Sequence, residues 1–290
     1  MKNYIKSLFI LLMIPFLANA QKNDSTKVKE KLARPTFESS AVIDNPSNTL
    51  FNRNTLEVDL QHRFGLVNGK NDLVGFWGAS NIRIAVSYAI LDRVTVGFGT
   101  TKDQRYQDFN LKGAILQQTR SNSMPLSITY YGNATISALP EGSFNNVQDR
   151  YSFFNQIIFA KRFCNQFSFQ VAPSISHFNA VASNMKNDVF AIAFGAKFKV
   201  SDGTNILIDY SQPLTKFDDP TESDKLLGGI KSPKAGLSLG VEFNTSAHAF
   251  QLFATNYWGI VPQQNYMYNQ NNFFKGDILI GFNITRLYNF

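Results

Sequence analysis

The last thirteen residues, Ile278-Leu279-Ile280-Gly281-Phe282-Asn283-Ile284-Thr285-Arg286-Leu287-Tyr288-Asn289-Phe290, alternate almost without fault. Ile278, Ile280, Phe282, Ile284, Arg286, Tyr288 and Phe290 share one face. Leu279, Gly281, Asn283, Thr285, Leu287 and Asn289 share the other. Successive side chains of a strand point to opposite faces, so this is a strand with one apolar and one small or polar face. An apolar face toward lipid and a polar face toward a lumen is the pattern of a transmembrane β-barrel strand. Arg286 departs from it near the strand end, where a charge costs little.

Working back along the chain, the same alternation recurs from Asn54 onward. Leu56, Val58, Leu60, His62 and Phe64 oppose Glu57, Asp59, Gln61 and Arg63. Further segments of this kind centre on Ile84, Val96, Leu111, Tyr130, Ile157, Val171, Phe194, Ile208 and Val241, with a less regular one over 247–256. With the C-terminal strand this predicts about twelve, an even number, as in single-chain bacterial barrels. The connectors alternate in length. Those near Asp92, Ser121, Asn165, Asp202 and Ser246 read as tight, and those near Asn68, Gly142, Ser183, Thr221 and Tyr266 as longer, with a short exception near Lys102. Short turns on one side and long loops on the other place both termini on the periplasmic side. A closed sheet leaves no unpaired edge in lipid. A soluble sandwich would also alternate, but its outward faces would be richly charged.

The N-terminus agrees. Lys2 and Lys6 precede an apolar run from Leu8 to Leu17, and Ala18-Asn19-Ala20 supplies small residues for signal-peptidase cleavage near Ala20. The run is too short to span a bilayer as a helix, which needs about 20 apolar residues. No cysteine follows it, which argues against a lipid anchor. The expected organisation is a signal peptide over 1–20, a polar periplasmic tether over 21–53 and an outer-membrane barrel over 54–290. A short plug or cap within the tether is the minor alternative.

Aromatic residues make up 14% of the chain and charged residues 17%. The charged share is below the roughly 25% of soluble domains. The single cysteine, Cys164, excludes an internal disulfide. The net charge of +7 includes the two leader lysines, and the remaining basic residues are scattered without an aromatic-interleaved stripe, which argues against nucleic-acid binding.

Several short motifs carry a resemblance. His62-Arg63-Phe64-Gly65, Asn81-Ile82-Arg83, Asp92-Arg93-Val94-Thr95-Val96-Gly97 and Asp108-Phe109-Asn110-Leu111-Lys112, with Pro35-Thr36-Phe37 upstream, resemble a family of outer-membrane β-barrels of unknown function found in Bacteroidetes. The resemblance spans most of the mature chain and implies fold and location; it brings no catalytic residues. Phe282, Tyr288 and Phe290 also resemble the C-terminal signal that the barrel assembly machinery reads, which makes that machinery and the lipid bilayer the expected partners.

Candidate chemistry is sparse. A barrel-embedded lipase needs a serine, a histidine base and a polar orienter within reach. His62 falls on the lipid-facing side, Ser176 and His177 are strand neighbours pointing apart, and His248 lies in a short turn. No enzyme activity and no cofactor are expected. Asp218, Asp219, Glu222 and Asp224 cluster in one external loop, but lack the alternating spacing of a calcium loop and are flanked by Lys216 and Lys225. No metal site is expected. The last external loop is aromatic and amide-rich, with Tyr257, Trp258, Gln263, Gln264, Asn265, Tyr266, Tyr268, Asn269, Gln270, Phe273 and Phe274. It reads as an interfacial girdle and loop packing, with sugar or protein binding second.

The lumen face is expected to hold Glu57, Asp59, Arg63, Arg83, Asp108, Lys112, Lys197, Lys199, Asp209, Lys234 and Glu242. Interior charges line water or pair across the lumen. The leading expectation is a narrow outer-membrane channel for small polar solutes. The alternative is a closed structural barrel that binds a surface ligand through its external loops.

Overall fold

The computed structural model describes residues 30–67 and 72–290. The signal peptide and the first tether residues lie outside the described residues. Leu32–Phe290 fold as one unit. Its strands are β1 (Thr55–Leu66), β2 (Asn81–Leu91), β3 (Val94–Thr101), β4 (Tyr106–Leu116), β5 (Ser127–Ser137) and β6 (Tyr151–Arg162). They continue as β7 (Phe167–Phe178), β8 (Asp188–Ser201), β9 (Thr204–Pro213), β10 (Gly236–Asn244), β11 (His248–Thr255) and β12 (Leu279–Asn289). Each pairs antiparallel with its chain neighbour, and β12 closes on β1 from Thr55↔Asn289 to Leu66↔Leu279. Two short helices, α1 (Glu222–Leu226) and α2 (Pro262–Tyr268), lie in the long connectors.

The period of two sorts the side chains. Ile84, Phe98, Phe109, Phe190 and Leu252 face outward, Leu252 at 57% exposure, while the residues between them are buried or half-buried. So broad an apolar surface needs a non-aqueous neighbour, and a lipid-facing band supplies one. Among the described residues no helix is long and apolar enough to cross a membrane; the crossing elements are strands.

Both chain ends of the barrel and the turns 92–93, 163–166, 202–203 and 245–247 share one end of the cylinder; the connectors 138–150, 179–187, 214–235 and 256–278 share the other. The connector 117–126, expected to be tight, is longer. It meets the N-terminal segment through a Leu32↔Thr119 bridge, an Ala33 N–H bond to the Gln118 carbonyl at 2.9 Å and an Arg120 Nε bond to the Leu32 carbonyl at 3.1 Å.

The largest difference from expectation lies just upstream of β1. Residues 36–49 are not a free tether. Thr36, Phe37, Ser39, Val42, Ile43, Asp44, Asn45, Ser47 and Thr49 are buried inside the barrel. A polar segment reads as mobile when it has no apolar surface to bury. Here it meets a polar lumen wall, and hydrogen bonds do what apolar burial does elsewhere.

Candidate functional site: an occupied lumen

The N-terminal segment enters at the short-turn end as a hairpin. Ser47 N–H bonds to the Ser40 carbonyl and Val42 N–H to the Asn45 carbonyl, each at 2.9 Å. Ser47 Oγ donates to the Ser39 carbonyl at 2.6 Å, and Thr49 Oγ1 to the Phe37 carbonyl at 2.9 Å. The reversal falls on Val42-Ile43-Asp44-Asn45, between the paired Ala41 and Pro46, and Asp44 and Asn45 are residue types that favour turns.

The tip is held by charge. Arg63 of β1 reaches Asp44 Oδ1 through Nη2 at 2.9 Å, both side chains being 1% exposed. Ser238 and Thr255 donate to Asp44 Oδ2 at 2.5 and 2.9 Å. The Arg63 guanidinium also lies 4.4 Å from the centre of the Phe253 ring. Asp209 accepts the backbone N–H groups of Asp44 and Asn45, each at 2.9 Å, and the Asn45 amide at 2.6 Å. Its carboxylate thus satisfies two turn donors that the hairpin cannot satisfy itself.

The shaft is held by polar atoms around the wall. Lys112 Nζ donates to the carbonyls of Ser40 and Thr49 at 2.9 and 3.3 Å. Gln170 donates to the Pro46 carbonyl and Asn283 to the Ile43 carbonyl, both at 2.9 Å. Glu242 accepts from Ser39, Asn205 and Gln251. Lys197 pairs with Glu38 at 2.8 Å. Its buried apolar cluster is small: Phe37, Val42 and Ile43 with Leu207 and Phe253. Gly195 makes room for it; a Cβ there would lie 2.9 Å from Val42 Cγ2.

A second segment fills the other end. The connector 256–278 folds inward, and Pro262, Gln263, Gln264, Asn265, Tyr266 and Met267 of α2 are buried. Pro262 opens the helix, where its missing N–H costs nothing. Val261, Tyr266 and Met267 pack against Phe154, Ile158, Ala172, Val189, Ala191 and Ala193 of β6, β7 and β8. Gln263 donates to Asn133 and Thr135, while Gln264 and Trp258 both donate to Asp103. The Gln263 and Gln264 N–H groups are therefore spent inside the barrel, while Gln263 Oε1, Gln264 Oε1 and Asn265 Nδ2 are buried without a hydrogen-bond partner. The two segments touch where Tyr266 Oη donates to the Asn45 side-chain carbonyl.

The expected lumen residues fall into three groups. Arg63, Lys112, Lys197, Asp209 and Glu242 contact the hairpin. Glu57 also meets the hairpin, at Ser40, while Asp59, Arg83 and Asp108 lie apart on the β1–β4 wall, where Arg83 grips Asp108 at 2.7 and 2.9 Å and reaches Asp59 at 3.3 Å. They line a cavity of about 60 Å³ between hairpin, wall and α2. Glu57 Oε1 and Asp59 Oδ1 have no hydrogen-bond partner there. Lys199 sits at the short-turn mouth beside Asp202. Lys234 is not a lumen residue: it lies exposed in the β9–β10 connector, bonded to the Gln270 carbonyl.

Of the C-terminal residues, Phe282 faces outward and stacks on His62 at 5.1 Å. Tyr288 lies under the Arg286 guanidinium at 4.8 Å, and Phe290 is 81% exposed. His177 pairs with Asp188 at 2.8 Å and with Asn179 at 3.1 Å, while Ser176 is buried on the opposite face. Among the described residues no group of three or more His, Cys, Asp or Glu side chains could hold a metal ion.

Asp44, Asn45, Phe154 and Ile158 were not singled out from the sequence. The signals were present: a turn motif in a polar stretch, and the doublets Phe153-Phe154 and Ile157-Ile158, which make both faces of β6 apolar.

A closed, lipid-banded cylinder with its own N-terminal hairpin inside frames the comparison with known proteins. Residues 37–288 match the family model of a membrane bound beta barrel domain, DUF5777. The chain belongs to this family. The matched region begins at Phe37, so it takes in the hairpin as well as the strands. No curated protein matches the chain. Among solved structures, the NanC porin is similar at a TM-score of 0.50 and 8% identity, covering 81% of this chain and 99% of that one. The KdgM porin (TM-score 0.47, 7% identity, 81% and 99% covered) and Omp33 of Acinetobacter baumannii (0.42, 8%, 81% and 98%) are also similar. At these identities the likeness is one of fold.

Proposed function

We propose that this barrel is an outer-membrane conduit for small polar solutes, closed in the described state, with the hairpin as its gate. One observation carries the reading: the lumen is occupied by a segment held mainly by hydrogen bonds and ion pairs to a polar wall. Such contacts can be exchanged for water, whereas an apolar plug could not leave without exposing its surface. The charged β1–β4 wall and its cavity are the remnant of the route. Its outer seal is the inserted 256–278 connector, with α2 packed on β6–β8 and Trp258 and Gln264 bonded to Asp103. Catalysis has no part in this reading, since His177 has no serine on its own strand face. The short-turn end faces the periplasm by the topology rule for such barrels.

The test is conductance in a planar bilayer, with folding checked by heat-dependent gel mobility. The full chain should be mostly silent. A chain lacking residues 35–49 and with residues 260–270 replaced by a glycine-serine linker should show discrete steps. If that doubly released barrel folds and still passes no current, the gated conduit is wrong, and a closed barrel working through its external loops takes its place.

A further inference from the structure

At the short-turn mouth the hairpin's first residues and the ends of β6, β8, β9 and β10 enclose a recess of about 390 Å³. Its charged lining is Arg34, Arg162, Lys197 and Lys199 against Glu38 and Asp202. An adjoining recess shares Arg34 and Arg162 and adds Arg120 and Lys161, with no acidic side chain. The cations are not balanced internally. Lys197 pairs with Glu38 and Lys199 with Asp202, but Arg34 and Arg162 form no ion pair among the described residues. Arg162 spends its guanidinium on neutral oxygens, the Pro35 carbonyl at 3.2 Å and Asn165 Oδ1 at 3.1 Å. The local field is felt outside the membrane span: a hydrogen bond from Lys199, together with its charge and that of Arg34, holds the Asp202 carboxyl below the usual aspartate range.

Lys197 is the informative member. Its side chain is 3% exposed, whereas its partner Glu38 is 41% exposed and belongs to the hairpin rather than the wall. A buried ammonium fixed in the barrel thus faces a carboxylate that arrives on a separate segment and stays accessible from the recess. We propose that this recess is a binding site for small oxyanions, phosphate or carboxylate, and that Glu38 occupies its innermost position in the closed state. Arg34 and Arg162 supply planar donors suited to two-pronged contact with such groups, and Lys197 a point charge. A volume of this size accepts a small solute and excludes a folded partner. An oxyanion that takes Lys197 from Glu38 also removes one of the hairpin's anchors. This last consequence rests on the gated-conduit reading; binding itself does not.

The experiment is isothermal titration of the folded full chain in neutral detergent with inorganic phosphate at constant ionic strength, with chloride as the blank. Saturable binding is expected in the full chain. It should weaken about tenfold in the Arg34→Gln, Arg162→Gln double variant, since charge-assisted contacts are lost. It should tighten severalfold in Glu38→Gln, which removes the competing carboxylate while leaving Lys197 in place. Absence of saturable heat in both the full chain and Glu38→Gln overturns the site, as does phosphate affinity that none of the substitutions changes. Repeating the titration in nanodiscs separates the sources: weaker phosphate binding in phosphatidylglycerol than in phosphatidylcholine discs marks a lipid headgroup as occupant, and equal binding marks a free solute. The titration reads no current, so its failure leaves the conductance result standing, and the reverse also holds.

Discussion

The lumen holds two insertions, one from each end, and they are fixed by different physics. The α2 segment lies on a wall of Phe154, Ile158, Ala172 and Val189, and Val261, Tyr266 and Met267 complete an apolar core inside the cylinder. The hairpin lies across the other, polar part of the wall, with Asp44 on Arg63, Asp209 on two turn amides and a small apolar cluster through Phe37, Val42 and Ile43. An apolar insertion is held wherever water is the alternative. A polar one is held only while its particular partners are in place. The two ends of the lumen therefore differ in what it takes to clear them.

The comparison can be broken most strongly at the apolar side. Phe154 is fully buried, and Phe154→Ala should cost about 3–5 kcal/mol, the range for large core truncations. The loss should appear as a lower urea midpoint for the whole barrel. A shift of only a few tenths would mean that the interior core contributes little.

Asp44→Ala tests the polar side. Removing one member of a buried ion pair leaves Arg63 uncompensated, at a cost of about 3 kcal/mol, the low end for such pairs because the hairpin can swing into water. Here the barrel's unfolding midpoint should hold while the hairpin becomes accessible to protease. Adding Arg63→Met should restore part of the hairpin's protection from protease. Global unfolding in the single variant would show that hairpin and barrel form one cooperative unit.

A smaller effect is expected at Gly195, where the wall thins to admit Val42. Gly195→Val overpacks that contact and should cost about 1–3 kcal/mol. Truncating the hairpin should abolish the penalty, and persistence of the penalty would place the strain in the wall instead.

The smallest effect concerns pH. Asp202 is held below its ordinary value of 3.8, first by the hydrogen bond from Lys199. A depressed carboxyl contributes stability above its unfolded value and loses it as pH falls through the folded one. Its carbon-detected titration midpoint should lie below 3.8 and return toward it in Lys199→Gln; no movement on that substitution would assign the shift elsewhere.

The strands were legible because alternation is a local property: Leu56 to Phe64 shows its two faces without reference to any other strand. The connector 117–126 was misread because its length serves Leu32, far away in the chain. The hairpin was hidden for a related reason. Ser39, Asn45 and Ser47 look like solvated linker residues until Glu242, Asp209 and Gln170 are seen around them. The interior core was half visible: Phe153-Phe154 broke the alternation, but only α2 explains why an inward phenylalanine is welcome there.

The partners of the hairpin tip carry one more consequence. Arg63 belongs to the first strand, while Asp209, Ser238, Thr255 and Asn283 belong to the last four. Asn283 lies 240 residues from the Ile43 carbonyl it contacts. The receptacle for Asp44 is therefore absent from every partial barrel and comes into being only when the two ends of the chain meet. The hairpin tip can thus settle only after β12 has met β1, and a seated hairpin certifies a closed seam.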